Sequence, residues 1–381
     1  MKFNSVFIHQ QIIPEYRIPI FNAILEGCKQ CYIIYGNSKK GSSLKNGKIP
    51  SNKNYIKKTN WILPGKRNYF ITSFYLMLIK FKPKIIITQY SPGNLNIFIL
   101  YLLRPIFKFK LIGWYHGWNR EKGFRPSGSF DDKLRHFMLK KADGIILYSN
   151  EAKEVLKNYK EEEKIFVANN TLDTNHFEKL RTSFELIGRA SLKNEINFTS
   201  RYNLIFSGRL EESKKPMQML EVFAIISTKC PDVMLHIIGS GPLETPMKEY
   251  VKKEKLERIK FYGSIYNDEI TGKMIYCSDM MIIPRWVGLS IIHSFAFECP
   301  LLTFESTYHP PEICYLKNEI NGFILGNHKS EEIANTLYNY LIDSNKHVNF
   351  KKAALEVVKT EAKVDNMVNG VLNAINYFSE K

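Results

Sequence analysis

No stretch of this 381-residue sequence strings together the roughly 20 apolar residues that a membrane-crossing helix needs. The longest candidate, Leu95 to Leu103, is stopped by Arg104-Pro105. The amino terminus carries Lys2 but turns polar at His9-Gln10-Gln11, and no small-residue cleavage site follows, so no secretory leader is expected. Both absences lead to the expectation of a cytoplasmic protein. Cysteine is scarce, six residues, of which Cys28 and Cys31 form a lone CxxC. No second pair or histidine cluster completes a zinc site, so the two read as thiols where a helix meets a strand. Acidic side chains are also few: 37 Asp and Glu against 54 Lys and Arg leave a net charge of +17. That excess calls for an anionic partner, which could be nucleic acid, a membrane face or a substrate. It is mostly lysine, spread along the chain rather than gathered in arginine-rich runs with interleaved aromatics, which argues against nucleic acid.

What is present is enough apolar content to build full cores, 44% of residues, over a length that suits two domains. In the first half, strands alternate with helices. Ser5–His9, Cys31–Tyr35, Lys84–Thr88, Lys108–Gly113, Gly144–Tyr148 and Ile165–Ala168 read as strands; Pro19–Glu26, Phe70–Phe81, Leu95–Phe107, Phe130–Lys141 and Glu151–Asn158 read as helices. Gly36 to Lys58 is a polar, lysine-rich loop. Its GSSLKNGK at Gly41–Lys48 superficially suggests a Walker loop, but the glycine spacing is one residue too long and Ile49 stands where Ser or Thr should hold magnesium. A second alternating array has strands at Leu204–Ser207, Met234–Ile238, Ile259–Tyr262, Met280–Ile283, Leu301–Phe304 and Gly322–Leu325. The expected fold class is α/β, two Rossmann-like doubly wound domains facing a cleft. The expected boundaries are 1–175, joined by a terminal helix at 362–381, then a linker over 176–200 and a second domain over 201–361.

The second array opens on Asn203–Met217. The strand Leu204-Ile205-Phe206 runs into Ser207, Gly208 and Arg209; Lys214 follows five residues later, and helical spacing resumes at Met219 and Leu220. A glycine, an arginine and a lysine therefore occupy a strand-to-helix turn, the place where open α/β sheets bind ligands. Two converging cations suit a diphosphate, because Arg offers a planar fork of donors and Lys a mobile point charge. The theme recurs. The second strand ends in Gly239-Ser240-Gly241-Pro242, where missing side chains let backbone approach a ligand closely. The third ends in Gly263. The fourth runs through Arg285, Trp286, Gly288, Leu289 and Ser290 into a helix carrying His293, and the amides at such a helix start can hold a phosphate. His309 and Glu312 lie in a later turn, and Trp114-Tyr115-His116-Gly117 closes a strand of the first array.

This ordered set resembles the nucleotide-sugar glycosyltransferases of the GT-B fold, specifically the retaining group called family 4. The residues that carry the likeness are Gly208-Arg209-Leu210 with Lys214, Gly239-Ser240-Gly241-Pro242-Leu243, Gly263, Gly288-Leu289 with the helix to Ala296, and Glu312-Ile313 with Gly322. The resemblance implies that Arg209 and Lys214 neutralise the donor diphosphate. It also implies that Gly208, Gly241, Gly263, Gly288, Leu289, Ser290, His293 and Glu312 line the donor site, and that His116 lines the cleft. The family works without a metal or other cofactor, and this chain has no Asp-x-Asp. The two cations would then stabilise the leaving diphosphate, and the departing phosphate could itself take the acceptor's proton.

One departure stands out. Where the family places two glutamates eight residues apart, this chain has Arg285 and His293. The implied partners are a nucleotide-sugar donor and a glycan or lipid-linked glycan acceptor in bacterial surface polysaccharide assembly, with no nucleic acid. The basic aromatic stripe Phe74–Lys84 with Leu95–Lys110 reads first as core helix with lysine ends, and second as a peripheral contact with an anionic membrane. Two other readings of the chain are an epimerase or hydrolase acting on nucleotide sugars and a non-catalytic basic binding protein. The first needs paired carboxylates at strand ends, which are missing here, and the second predicts binding without donor specificity.

Overall fold

The structure is a computed structural model that describes residues 5–38, 45–63, 69–115, 123–306, 308–326 and 329–380. The chain divides into two compact units, residues 1–173 with 364–381 and residues 174–363.

The first unit is built on nine strands: β1 (Val6–Gln10), β2 (Cys31–Tyr35), β3 (Tyr55–Lys57), β4 (Asn60–Ile62), β5 (Phe70–Thr72), β6 (Ile85–Tyr90), β7 (Lys110–Tyr115), β8 (Gly144–Leu147) and β9 (Ile165–Val167). Seven form a parallel sheet in the order β3-β2-β1-β6-β7-β8-β9, while β4 and β5 pair antiparallel beside it. Central strands such as Ile85-Ile86-Ile87 are buried on both faces, which is why they are runs of isoleucine rather than alternating patterns. The helix Val364–Ser379 belongs to this unit. Its Val364, Met367, Val368, Val371, Ile375 and Phe378 recur at helical spacing and pack against Ile20, Ile24 and Ile146. Gly370 lets the helix lie against β9, because a Cβ there would stand 2.1 Å from the carbonyl oxygen of Val167.

Two expectations change in this unit. The helix foreseen over Phe70–Phe81 is instead strand β5 followed by a helix at Tyr75–Phe81. The cross-strand partner at Asn60–Ile62 claims Phe70–Thr72, a tertiary contact that the local pattern does not encode. The polar segment 36–58, expected as a loop, contains β3, which pairs with β2.

The second unit holds β10 (Tyr202–Ser207), β11 (Val233–Ile238), β12 (Ile259–Gly263), β13 (Met280–Ile282), β14 (Leu301–Phe304) and β15 (Gly322–Leu325), all parallel in the order β12-β11-β10-β13-β14-β15. This is the doubly wound order of a Rossmann sheet, reversing between β10 and β13. Most of the segment 176–200, expected as a linker, belongs to the helices Thr174–Ile187 and Arg189–Glu195. Phe177 and Phe184 bury their rings against Phe297 of this unit. Among the described residues no helix is long and apolar enough to cross a membrane.

Candidate functional site

The direction of winding reverses between β10 and β13, so the helices leaving these strands diverge and open a crevice at the strands' carboxyl ends. The turn after β10 is zipped to the turn after β11 by backbone alone. Gly208 N donates to Ile238 O at 3.0 Å, Leu210 N to Ser240 O at 3.0 Å, and Leu243 N back to Leu210 O at 3.0 Å. Side chains would not fit in this zip. A Cβ on Gly239, whose φ is +141°, would lie 1.8 Å from Gly208 O, and one on Gly241 would lie 2.4 Å from Leu210 O. The close approach that Gly241 permits is thus to the carbonyl of Leu210. Gly263 enters through its own carbonyl, which accepts from Gly239 N at 2.7 Å.

Lys214 lies in a short 3-10 turn and is buried, an unusual state for a lysine. Its Nζ donates to the carbonyl oxygen of Trp286 at 2.8 Å. Gly208 leaves room for the lysine stem, since a Cβ there would sit 3.0 Å from Lys214 Cε. Burial pushes the Lys214 ammonium down to about 8, against the opposing pull of the Glu211 and Glu312 carboxylates. Glu312, itself buried in the 3-10 turn Pro311–Tyr315, is thereby brought within electrostatic reach of the lysine. Arg209 differs. It is more than half exposed and pairs with Glu211 at 3.3 Å. The turn after β10 therefore presents one held cation and one solvated cation.

The segment after β13 contains two left-handed residues, Trp286 at φ +56° and Gly288 at φ +54°. Glycine adopts that conformation freely, whereas a bulky side chain does so under strain and needs surrounding support. His309 provides part of it. Its buried ring donates from Nε2 to Phe304 O at 2.8 Å, and its Nδ1 accepts from Val287 N at 3.4 Å. Thr303 Oγ1 donates to Pro284 O at 3.2 Å. Ser290 Oγ reaches back to Ser207 O at 3.3 Å and ties the segment to the end of β10. Leu289 precedes a helix of seven residues, Ser290–Ala296.

Arg285 and His293, the positions where the resemblance implies glutamates, point to different neighbours. The Arg285 guanidinium lies 4.0 Å from the Tyr308 ring centroid, and its Nε is buried with no hydrogen-bond partner among the described residues. It lines a recess of about 270 Å³ with Lys215, Gln218, Glu305 and Ser306. His293 packs edge-on against Phe177 at 4.8 Å. Burial lowers its pKa, with the Asp268 charge opposing.

The structure thus gathers Gly208, Lys214, Ser290 and Glu312 around one turn system, seats Gly241 and Gly263 in its backbone scaffold, and turns His293 toward Phe177. His116 lies outside the described residues. The sequence reading missed Trp286 as the partner of Lys214, since a backbone carbonyl carries no residue signature. Among the described residues no three His, Cys, Asp or Glu side chains come together as a metal site.

Residues 188–357 match the family model described as glycosyl transferases group 1. An uncharacterized glycosyltransferase of Methanocaldococcus jannaschii is 24% identical over 274 residues, covering 65% of this chain and 61% of that protein. The UDP-Gal:alpha-D-GlcNAc-diphosphoundecaprenol alpha-1,3-galactosyltransferase of Escherichia coli is 26% identical over 231 residues, covering 58% of this chain and 57% of that one. The chain thus spans less than two thirds of the length of either curated relative. Anabaena Alr3699/HepE, solved in complex with UDP, superposes with a TM-score of 0.69 at 14% identity, covering 98% of this chain and all of that one. Likeness at that identity establishes the fold alone, two Rossmann-like domains as in GT-B proteins.

Proposed function

We propose that this protein is a retaining glycosyltransferase that moves a sugar from a nucleoside diphosphate donor to a hydroxyl of a glycan acceptor. The observation that carries the reading is the buried Lys214, held by Trp286 O beside the solvated Arg209 at the switch point of a Rossmann sheet. A buried ammonium with no carboxylate at bonding distance among the described residues is a costly arrangement that an anionic ligand would relieve. In this reading the second unit takes the donor. Lys214 and Arg209 neutralise the diphosphate as the sugar–phosphate bond breaks, and the amides of Gly288 to Ser290 support the same charge. The freed phosphate oxygen accepts the proton of the attacking hydroxyl on the same face of the sugar, so configuration is retained and no side-chain base is needed. The first unit takes the acceptor.

The UDP bound to Alr3699/HepE and the UDP-Gal named for the Escherichia coli relative favour a uridine diphosphate donor. The diphosphoundecaprenol in that name favours a lipid-linked glycan acceptor, as in bacterial surface polysaccharide assembly at the inner face of the membrane. A thermal-shift panel of UDP-, GDP- and CMP-sugars tests the donor, because a ligand that binds only the native state raises its apparent stability. Mass spectrometry and NMR of the product then give the transferred sugar and its anomeric configuration. Donor binding unchanged in an Arg209→Ala, Lys214→Ala double variant would sink the mechanism, and an inverted product would overturn retention.

A further inference from the structure

Three crossover connections place the helices Tyr75–Phe81, Asn96–Phe107 and Phe130–Lys141 on one face of the first unit's sheet. Met77, Leu78 and Leu100 share a core cluster with Phe7 and Ile86, while Ile97, Met138 and Leu139 share the adjoining one. The outer side of such a layer is ordinarily polar. Here Leu76, Ile79, Leu102, Ile106, Phe130 and Phe137 are between 45% and 82% exposed. Single apolar residues at a surface are common, but six on one helical layer mark a binding face.

The charge around them is mainly positive, although the third helix carries Asp131 and Asp132 beside Phe130 as well as Lys133, Arg135, Lys140 and Lys141. The first two helices contain Lys80 and Arg104 and no acidic residue. Both end on a left-handed lysine, Lys82 and Lys108. The parallel register sets Ile85 opposite Lys110, and Lys110 N donates to Lys84 O, so these lysines gather at the amino edge of the sheet. Between the second and third helices runs an open groove of about 520 Å³ lined by Arg104, Lys108, Lys110 and Lys141 with Tyr101 and Phe137. Asp143 offsets part of this charge through its 2.7 Å pair with Arg104.

We propose that this helical layer docks on a bilayer containing anionic phospholipid. The aliphatic side chains enter the boundary between headgroups and acyl chains, and the cationic groove takes a lipid phosphate. Exposed leucine and isoleucine next to lysine is the composition that such an interface selects. A second copy of the chain would oppose lysine to lysine, and nucleic acid would gain nothing from the aliphatic side chains. The inference rests on the proposed reaction only insofar as a lipid-linked acceptor gives the docking a purpose.

The test is flotation of the full chain with phosphatidylcholine vesicles made with and without phosphatidylglycerol. The protein is expected to float with the phosphatidylglycerol vesicles at low salt and to be released by added salt. A Leu102→Glu, Ile106→Glu variant, changed only at exposed positions, is expected to lose more than about tenfold in partitioning, with circular dichroism and donor thermal shift unaltered. Absence of flotation, equal binding to pure phosphatidylcholine, or undiminished binding of the variant overturns the proposal. So does sedimentation equilibrium showing a dimer in the parent chain and a monomer in the variant, which would make the patch a self-interface. Loss of the donor shift in the parent chain would instead count against the proposed reaction and leave the docking result standing.

Discussion

Lys214 and Trp286, 72 residues apart in sequence, are joined by a 2.8 Å hydrogen bond from the ammonium to the backbone carbonyl. The bond clamps the turn after β10 to the turn after β13. Trp286, whose carbonyl faces the lysine, is left-handed, a conformation supported by Thr303 on β14 and by His309 in the turn after it. The ammonium keeps two further donors, so it can hold the protein and a phosphate oxygen at once.

Donor binding should weaken on the alkaline side. Burial sets the free Lys214 ammonium at about 8, so it is charged at neutral pH and loses its proton above that value. Titration calorimetry with UDP is expected to show affinity falling as pH rises through about 8. Lys214→Arg should lose this alkaline limb, because guanidinium keeps its charge there. A flat profile for the parent chain from pH 7 to about 9.5 would contradict the assignment.

The same group should cost stability. The folded value lies below the ordinary 10.5, so between about 8 and 10.5 the unfolded chain binds more protons and stability rises with pH. At neutral pH the cost is present in full. Lys214→Met is expected to stabilise the fold by on the order of 1–3 kcal/mol in urea titrations while weakening donor binding, with the lost bond to Trp286 O offsetting part of the gain. A less stable variant would show that the lysine is structural.

Gly239→Ala forces a Cβ to 1.8 Å from Gly208 O at a positive φ. The zip between the two turns must open. The expected loss is about 2–4 kcal/mol by denaturant unfolding, along with weaker donor binding. Stability equal to the parent chain would refute the close approach.

Trp286 gives a comparison of two variants at one site. Trp286→Gly relieves the left-handed strain and removes a half-exposed side chain, so its stability should stay within about 1 kcal/mol of the parent. Trp286→Val places a β-branched residue at the same φ and should be less stable than the glycine variant by about 1–2 kcal/mol. Equal stability of the two variants would remove the backbone argument.

His293→Glu would place a carboxylate where the resemblance implies one, yet it should destabilise. The position packs against Phe177 and feels the Asp268 charge, so a carboxylate there is both desolvated and repelled. The melting temperature is expected to fall most at high pH and to recover as the carboxyl protonates. A rise in transfer activity with unchanged stability would mean that the side chain turns toward the donor instead.

Much of the architecture was legible in the chain order. Apolar runs such as Ile85-Ile86-Ile87 and Met280-Met281-Ile282 suit strands buried on both faces, and their alternation with helical spacing points to parallel sheets. Strands β3 and β4 escaped because Tyr-Ile-Lys and Asn-Trp-Ile offer neither an apolar run nor a period to read, and β5 because Phe70–Thr72 continues the apolar spacing of the helix after it. The stretch 176–200 reads as a linker with one helical stretch around Phe184–Leu192, because Phe177 and Phe184 meet their partners Phe297 and Tyr276 only in the folded chain.

The site divides in the same way. Sequence alone determined that Gly208, Arg209 and Lys214 share one strand-to-helix turn, and that glycines follow the next two strands, because turn chemistry is local. Tertiary structure alone decided what those residues meet. It buried Lys214 and lowered its affinity for a proton, gave it the carbonyl of Trp286, used Gly239 and Gly241 for backbone contact, and turned His293 toward Phe177. Burial and long-range hydrogen bonds depend on which strands become neighbours, and the spacing of residues within a turn does not carry that information.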